Sequence, residues 1–282
     1  MIALTGATGQ LGQFVVEALL KTVPAKEIVA IVRNPAKAEA LSKQGLIVRQ
    51  GDYNDQAALT QALAGVEKLL LISSSEVGQR AAQHRNVINA AKDAGVKFIA
   101  YTSLLHADTS PLGLHVEHVE TEKLLAESGI PFALLRNGWY SENYLASAPA
   151  ALAHGVFIGA AGEGKIASAT RADYAAAAAR VISEEGHAGK VYELAGDSAW
   201  TLSDLAALLS EASGKKVVYQ NLSEADFAAA LKGAGLPDGL AEMLADSDIG
   251  ASKGGLFDDS QTLSKLIGRP TTSIADSVND LL

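Results

Sequence analysis

Short apolar segments alternate with longer amphipathic segments through the first half of the chain. The apolar segments have the length and composition of buried strands, and the amphipathic ones repeat apolar residues at helical spacing, as Leu11, Val15 and Leu19 do. The strands predicted in this way are residues 2–5, 28–32, 47–50, 68–72, 98–102 and 132–136. Six strands alternating with helices predict right-handed crossovers and a doubly wound parallel sheet, so the predicted class is an α/β Rossmann fold.

The alternation loosens after Gly138, where prolines and glycines interrupt the pattern. A seventh strand is predicted at residues 191–194 and helices at 202–213 and 223–232, followed by a Gly- and Asp-rich stretch to Asp259. We therefore predict a Rossmann domain at residues 1–150, to which residues 165–196 return. Residues 197–282 are predicted to form mainly a small C-terminal α/β lobe.

The composition of the chain excludes several kinds of binding site and partner. With 282 residues, of which 48% are hydrophobic, the chain can bury a full core. Its 32 acidic and 23 basic residues give a net charge of −9, which disfavours nucleic acid as a partner. The absence of cysteine excludes disulfides and thiolate metal sites, and no apolar run is long enough to span a bilayer. We expect a cytoplasmic protein with neither nucleic-acid nor membrane partners, and the oligomeric state stays open.

A glycine-rich loop lies between the first predicted strand and the first helix. Gly6, Gly9 and Gly12 have the spacing that permits a tight turn, a close approach to a pyrophosphate and close packing of helix on strand. The N–H groups of the helix N-terminus supply donors for the phosphates. The residues expected to bind the cofactor here are Gly6, Ala7, Thr8, Gly9, Gln10, Leu11 and Gly12.

The residue directly after the second predicted strand indicates which dinucleotide binds. Arg33 stands there, 21 residues after Gly12, where an NAD site would place a carboxylate. A guanidinium pairs with a 2′-phosphate, so NADP(H) is favoured over NAD(H). Ser73, Ser74 and Ser75 end the fourth strand and offer hydroxyl and N–H groups at the same edge of the sheet.

The sequence contains several motifs that together carry a family resemblance. They are TGATGQLG, VRNP, GDYND, LLLISSS, AAKDAGVKFIAYTS, LLRNGWYSEN and YELAGDSAWTLSDLA. Spread over nearly the whole chain, they resemble the NmrA-like atypical short-chain dehydrogenases, and among these the bacterial quinone-reducing members. The resemblance implies that the Rossmann domain is NAD(P)-binding and that the C-terminal lobe is a substrate lobe, with NADP(H) bound by the glycine loop, Arg33 and the three serines. It further implies cofactor contacts from Arg171 and from Asn137, Gly138, Trp139, Tyr140, Ser141 and Glu142.

The catalytic pair of ordinary short-chain dehydrogenases is missing, because no tyrosine has a lysine four residues after it. In the corresponding helix, His118 and Glu122 are spaced to share a face, and a glutamate partner would favour a protonated, proton-donating imidazole. A surface contact explains the same pair. His115 and His118 have no convincing third ligand, so no metal site is predicted.

A quinone is a good hydride acceptor, which makes positioning more important than acid catalysis. Tyr140 is a candidate for stacking on a planar acceptor, with Trp139 or Tyr144, and Asn143 is a candidate for hydrogen bonding to a quinone oxygen. A packing role for these rings is equally consistent with the sequence. Three hypotheses for function remain: an NADPH-dependent quinone reductase, a non-catalytic NADP(H) sensor, and a reductase of imines or azo-type dyes.

Overall fold

The computed structural model describes residues 1–282. Nine strands are present: β1 Ile2–Thr5, β2 Ile28–Val32, β3 Ile47–Gln50, β4 Lys68–Leu71, β5 Phe98–Leu104, β6 Phe132–Asn137, β7 Val156–Gly159, β8 Val191–Leu194 and β9 Val218–Asn221. The α-helices are α1 Gln10–Leu19, α2 Glu39–Lys43, α3 Gln56–Ala62, α4 Arg80–Asp93, α5 His115–Ser128, α6 Ser141–Leu145, α7 Ala148–His154, α8 Arg171–Ser183, α9 Leu202–Ser213, α10 Glu224–Gly233, α11 Asp238–Ser252, α12 Thr262–Ile267 and α13 Ile274–Leu281.

Seven strands form one sheet in the order β3-β2-β1-β4-β5-β6-β8. The pairs from β3 through β6 are parallel, and the hydrogen bonds Leu134 N–H to Lys190 O and Gly138 N–H to Leu194 O advance in the same direction along both chains. The direction of chain progression reverses between β1 and β4, which is the point where α/β sheets of this kind bind ligands. The predicted α/β doubly wound fold is confirmed.

The core lies on both faces of this sheet. All five residues of β2 are buried, and Leu69, Leu70 and Leu71 of β4 are fully buried. Helices cover both faces of such a sheet, so its strands are continuously apolar rather than alternating. This is why the apolar runs in the sequence located the strands to within a few residues.

The chain divides into two compact units. The first comprises residues 1–104, 116–137 and 171–192, and the second comprises residues 105–115, 138–170 and 193–282. Strands β1 to β6 and helices α1 to α4 belong to the first unit, and α9 to α13 belong to the second. The domain boundaries drawn from the sequence stay a prediction.

The second unit contains a small parallel sheet that the sequence did not predict. Strands β7 and β9 pair from Val156 opposite Val218 to Gly159 opposite Asn221. Each has four residues. Strand β9 has no buried residue and so lacks the buried apolar run that predicts a strand, and in β7 only three apolar residues precede Gly159.

The sequence predicts no helix in the Gly- and Asp-rich stretch up to Asp259, yet residues 238–252 form helix α11. Glycine and aspartate have low helix propensity, so Gly239, Gly250 and the aspartates weaken the helical pattern in the sequence. At Gly250 the reason for glycine is packing, since a Cβ would lie 2.6 Å from Leu112 Cγ. None of the chain's helices combines the length and the apolar composition that crossing a bilayer requires.

Candidate cofactor and acceptor site

The glycine loop joins β1 to α1 in the first unit. Gly6 has a φ of +64°, a backbone conformation that residues other than glycine rarely adopt. Gly9 N–H donates to Gly6 O at 2.9 Å. A Cβ at Gly12 would overlap the Gly6 carbonyl oxygen and lie 2.9 Å from Ala7 Cα. The loop can close onto the helix in this way only if position 12 is glycine.

The N-terminus of α1 is suited to an anion. Its N-cap residue is Gly9, which has no side chain to accept from the first N–H groups, and the first turn contains no acidic residue. The donors and the positive end of the helix dipole are therefore available to a phosphate. Ala7 is buried, Thr8 is half-buried, and Gly9 and Gln10 are exposed, so the turn presents its backbone at the surface of the first unit.

Arg33 follows β2 directly and extends into solvent, with 70% of its side chain exposed. Its Nη1 lies 3.0 Å from Glu76 Oε1, an ion pair that was not predicted from the sequence. The partner is 43 residues away in the chain, and the only sequence signal for it is its position immediately after Ser73, Ser74 and Ser75. The structure thus brings the end of β2 and the loop after β4 together.

The serine loop is held by its backbone. Ser73 N–H donates to Thr102 Oγ1 at 2.8 Å, and Ser74 N–H donates to Nε2 of the buried His84 at 2.9 Å. The hydroxyl of Ser74 is buried against the side chain of Gln83, and that of Ser75 is in an exposed position. Side chains of α4 and β5 therefore determine where this loop lies.

A buried polar network lies beneath the loop. His84 Nδ1 is 2.9 Å from Thr121 Oγ1, and His118 Nδ1 is 2.7 Å from Tyr101 Oη. Burial, and secondly the charge of Arg80, lowers the pKa of His84 to about 3 and holds the pKa of His118 well below its ordinary value. Both imidazoles are neutral at physiological pH.

The expected pairing of His118 with Glu122 is wrong. Glu122 instead accepts from Ser103 at 2.6 Å and from Arg136 Nη2 at 2.7 Å, so its charge is directed to β5 and β6. Arg80 Nη1 lies 3.4 Å from His118 Nε2, where a cation disfavours a second positive charge. The proton-donating role of His118 stays a prediction, and its burial and this environment argue against it.

Asn137 and Arg171 are two further predicted cofactor ligands in the first unit. Asn137 ends β6 and is buried, and its Oδ1 has no hydrogen-bond partner in the protein. A buried amide oxygen without a donor is the feature expected where a ligand supplies one. Arg171 is half-buried and is the first residue of α8.

The remaining predicted residues lie in the second unit. Gly138 is buried, and Trp139, Tyr140, Glu142 and Asn143 are half-buried. Ser141 is buried and its hydroxyl is 2.8 Å from that of Ser168; its N–H donates to Ala169 O at 2.9 Å. This segment is therefore anchored through its backbone, with Trp139, Tyr140 and Asn143 partly accessible.

Tyr144 differs from its half-buried neighbours. It is buried, and its ring packs edge-on against Trp200 with centroids 5.0 Å apart, so its ring is not a free face for a planar acceptor. Trp200 is also buried. The Tyr144 hydroxyl is buried without a hydrogen-bond partner.

The same unit contains a buried carboxyl group that was not predicted from the sequence. Asp248 of α11 accepts from Ala160 N–H at 2.8 Å. Burial raises its pKa to about 6, and the hydrogen bond from Ala160 offsets part of this rise. Its position in a Gly- and Asp-rich segment gave no indication that it would be buried.

The residues of the first unit fit a dinucleotide with a 2′-phosphate. The helix N-terminus without a side-chain cap, the exposed guanidinium of Arg33 and the orphaned oxygen of Asn137 are complementary to phosphates and to a hydrogen-bond donor. No group of three or more His, Asp or Glu side chains is arranged to hold a metal ion.

Comparison with known proteins extends these observations. The NmrA-like family model matches residues 1–273. Quinone oxidoreductase 2 of Escherichia coli (strain K12) is 82% identical over 281 residues, which cover 100% of this chain and 98% of that protein.

Two solved structures are similar over the full length. The NADPH-dependent quinone oxidoreductase of Escherichia coli complexed with NADPH has a TM-score of 0.98 at 82% identity, covering 100% of this chain and 99% of that one. The Citrobacter sp. triphenylmethane reductase complexed with NADP(H) has a TM-score of 0.96 at 44% identity, with 100% of both chains covered. The chain belongs to the NmrA-like family.

Proposed function

We propose that this chain is an NADPH-dependent quinone oxidoreductase, which reduces a quinone by two electrons to the hydroquinone. The observation that carries the proposal is the full-length likeness to an NADPH-dependent quinone oxidoreductase, in sequence and in structure. When bound, NADPH supplies the hydride, and one further proton from the medium or a donor completes the hydroquinone.

The residues of the first unit bind and orient the cofactor. The N–H groups at the start of α1, approached over Gly9, bind the pyrophosphate, and Arg33 binds the 2′-phosphate. Ser73, Ser74 and Ser75 border the ribose, and Asn137 Oδ1 accepts a hydrogen bond from the ligand. Arg171 is a further contact that the family resemblance implies.

Tyr140 and Asn143 position the acceptor. Both are half-buried side chains at the N-terminal end of α6, and the Asn143 backbone N–H donates to Tyr140 O at 3.0 Å. A side-chain amide donates to a quinone oxygen, and a phenol ring stacks on the quinone plane. Catalysis then rests on proximity and orientation, which removes the need for the missing Tyr–Lys pair.

The function is tested by following the oxidation of NADPH with and without a small benzoquinone. We expect quinone-dependent oxidation, with one hydroquinone formed for each NADPH consumed. NADPH binding without quinone-dependent turnover would instead identify a dinucleotide sensor. Turnover with a dye but not with benzoquinone would identify the third hypothesis.

The acceptor site is tested separately with Asn143→Ala. This variant should raise the KM for benzoquinone and leave the Kd for NADPH unchanged. The control is Asn89→Ala, an exposed asparagine on α4, which should change neither value.

The expected cytoplasmic location, and the absence of nucleic-acid and membrane partners, stay predictions from composition.

A further inference from the structure

The guanidinium proposed to bind the 2′-phosphate already has an anionic partner. Arg33 Nη1 and Glu76 Oε1 are 3.0 Å apart, and their side chains are 70% and 43% exposed. A phosphate that binds this guanidinium therefore meets a carboxylate at the same position. An exposed ion pair of this kind is weak enough for a phosphate to displace the carboxylate from the guanidinium. The negative charge of Glu76 nevertheless remains beside the site.

Hydrogen bonds to other residues hold the Glu76 side chain in its position beside Arg33. Its second oxygen, Oε2, accepts from Gln83 Nε2 at 2.8 Å, and Gln83 is 2% exposed. Its backbone N–H donates to Ser74 Oγ at 3.1 Å, and that hydroxyl is itself hydrogen-bonded to Gln83. A buried amide thus holds the carboxylate in place.

The surface pair of Arg85 and Glu120 provides a comparison. Its nitrogen–oxygen distance is 3.2 Å, and its side chains are 52% and 47% exposed, close to the values for the first pair. It joins α4 to α5 in the same unit and involves no predicted cofactor residue. Neutralising Glu120 therefore changes the net charge equally without touching the proposed 2′-phosphate site.

We propose that Glu76 is a specificity-determining residue that competes with the 2′-phosphate for Arg33 and limits the preference for NADPH over NADH. This inference rests on the proposed function, since it assigns the 2′-phosphate to Arg33. A cofactor without the phosphate leaves the Arg33–Glu76 pair intact and meets no repulsion at this position. The carboxylate therefore weakens NADPH binding and leaves NADH binding nearly unchanged.

The test is calorimetric titration of Glu76→Gln, Glu120→Gln and the unchanged protein with NADPH and with NADH. In Glu76→Gln the Kd for NADPH should fall about fivefold, which is the largest effect expected of an exposed ion pair. The Kd for NADH should change less than twofold. The gain should shrink at high ionic strength, because both charges are exposed. Glu120→Gln should leave both constants within twofold of the unchanged protein.

An unchanged or higher Kd for NADPH in Glu76→Gln would overturn the proposal. Equal changes in both constants would also overturn it, since they would mean that Glu76 only maintains the loop. Quinone-dependent turnover of the unchanged protein is measured in parallel. Its absence would refute the proposed function, whereas the Kd comparison decides the role of Glu76 independently.

Discussion

The role proposed for Arg33 depends on a single side chain at the end of a strand. Its guanidinium is exposed and paired only across a surface contact with Glu76, so it contributes little to folding. Its position after the second strand was readable from the sequence, because strand ends in this fold meet the ligand at one edge. The partner Glu76 was not readable, since only folding brings residues 33 and 76 together.

Arg33→Gln should raise the Kd for NADPH at least tenfold and change the Kd for NADH less than twofold. The physical reason is loss of the charge-assisted hydrogen bonds to the 2′-phosphate, which NADH lacks. The measurement is titration with both cofactors. Arg85→Gln, an exposed arginine in a comparable ion pair, is the control and should leave both constants unchanged. A retained NADPH preference in Arg33→Gln would remove Arg33 from the site.

Asp248 gives a prediction for stability. Its folded-state pKa of about 6 lies above the ordinary 3.8, so the folded protein binds this proton more tightly than the unfolded chain. The stabilisation is fully present below pH 3.8 and is lost as the pH rises through about 6, by up to about 3 kcal/mol.

Asp248→Asn should therefore unfold at higher denaturant concentration than the unchanged protein at pH 7.5, and the difference should vanish near pH 4. The asparagine oxygen still accepts from Ala160 N–H. The control is Asp246→Asn on the same helix, a half-buried residue that accepts from Gly113 N–H at 2.7 Å. It should show no comparable gain, and an equal gain in both variants would contradict the assignment to burial.

At the scale of elements, the turn from β1 into α1 depends on backbone geometry. Gly6 adopts its positive φ, and Gly12 lets the first turn of α1 approach the loop. The spacing of the glycines indicated this arrangement, because only certain positions of a strand–loop–helix unit require the absence of a Cβ.

Gly12→Ala should lower the free energy of unfolding by about 2 kcal/mol or more, since the new Cβ overlaps backbone atoms that cannot move aside cheaply. Denaturant unfolding measures the effect. Gly239→Ala, near the start of α11 with no atom within 4 Å of the added Cβ, should be neutral or slightly stabilising because alanine favours helix. Equal losses in both variants would contradict the packing explanation.

In helix α5, the side chains of His118 and Glu122 have partners from other elements. The spacing of His118 and Glu122 placed them on one face, but it gave no information about what packs against that face. In the fold, Ser103 and Arg136 donate hydrogen bonds to Glu122. His118 contacts Tyr101 and Arg80 instead. The partners come from other elements, so the pair could not be predicted from helical geometry alone.

At the scale of the whole molecule, cofactor binding should stabilise the fold. A ligand present at about 100 times its Kd stabilises the state that binds it by about 2.7 kcal/mol, which corresponds to a rise in Tm of about 5–10 °C for a chain of this size. We expect NADPH to raise the Tm by this amount, and NADH at the same concentration to raise it less. Thermal denaturation of Arg33→Gln is the control, in which the two cofactors should give similar shifts.

The sequence by itself determined the alternation of strands and helices, the parallel sheet and the glycine loop. These features follow from local patterns, namely continuous apolar runs, helical periodicity and glycines at fixed spacing. Only the tertiary structure decided that Arg33 meets Glu76, that His118 is buried and neutral, and that Asp248 is a buried carboxyl group. Burial and charge pairing depend on residues far apart in the chain, and no local pattern contains that information.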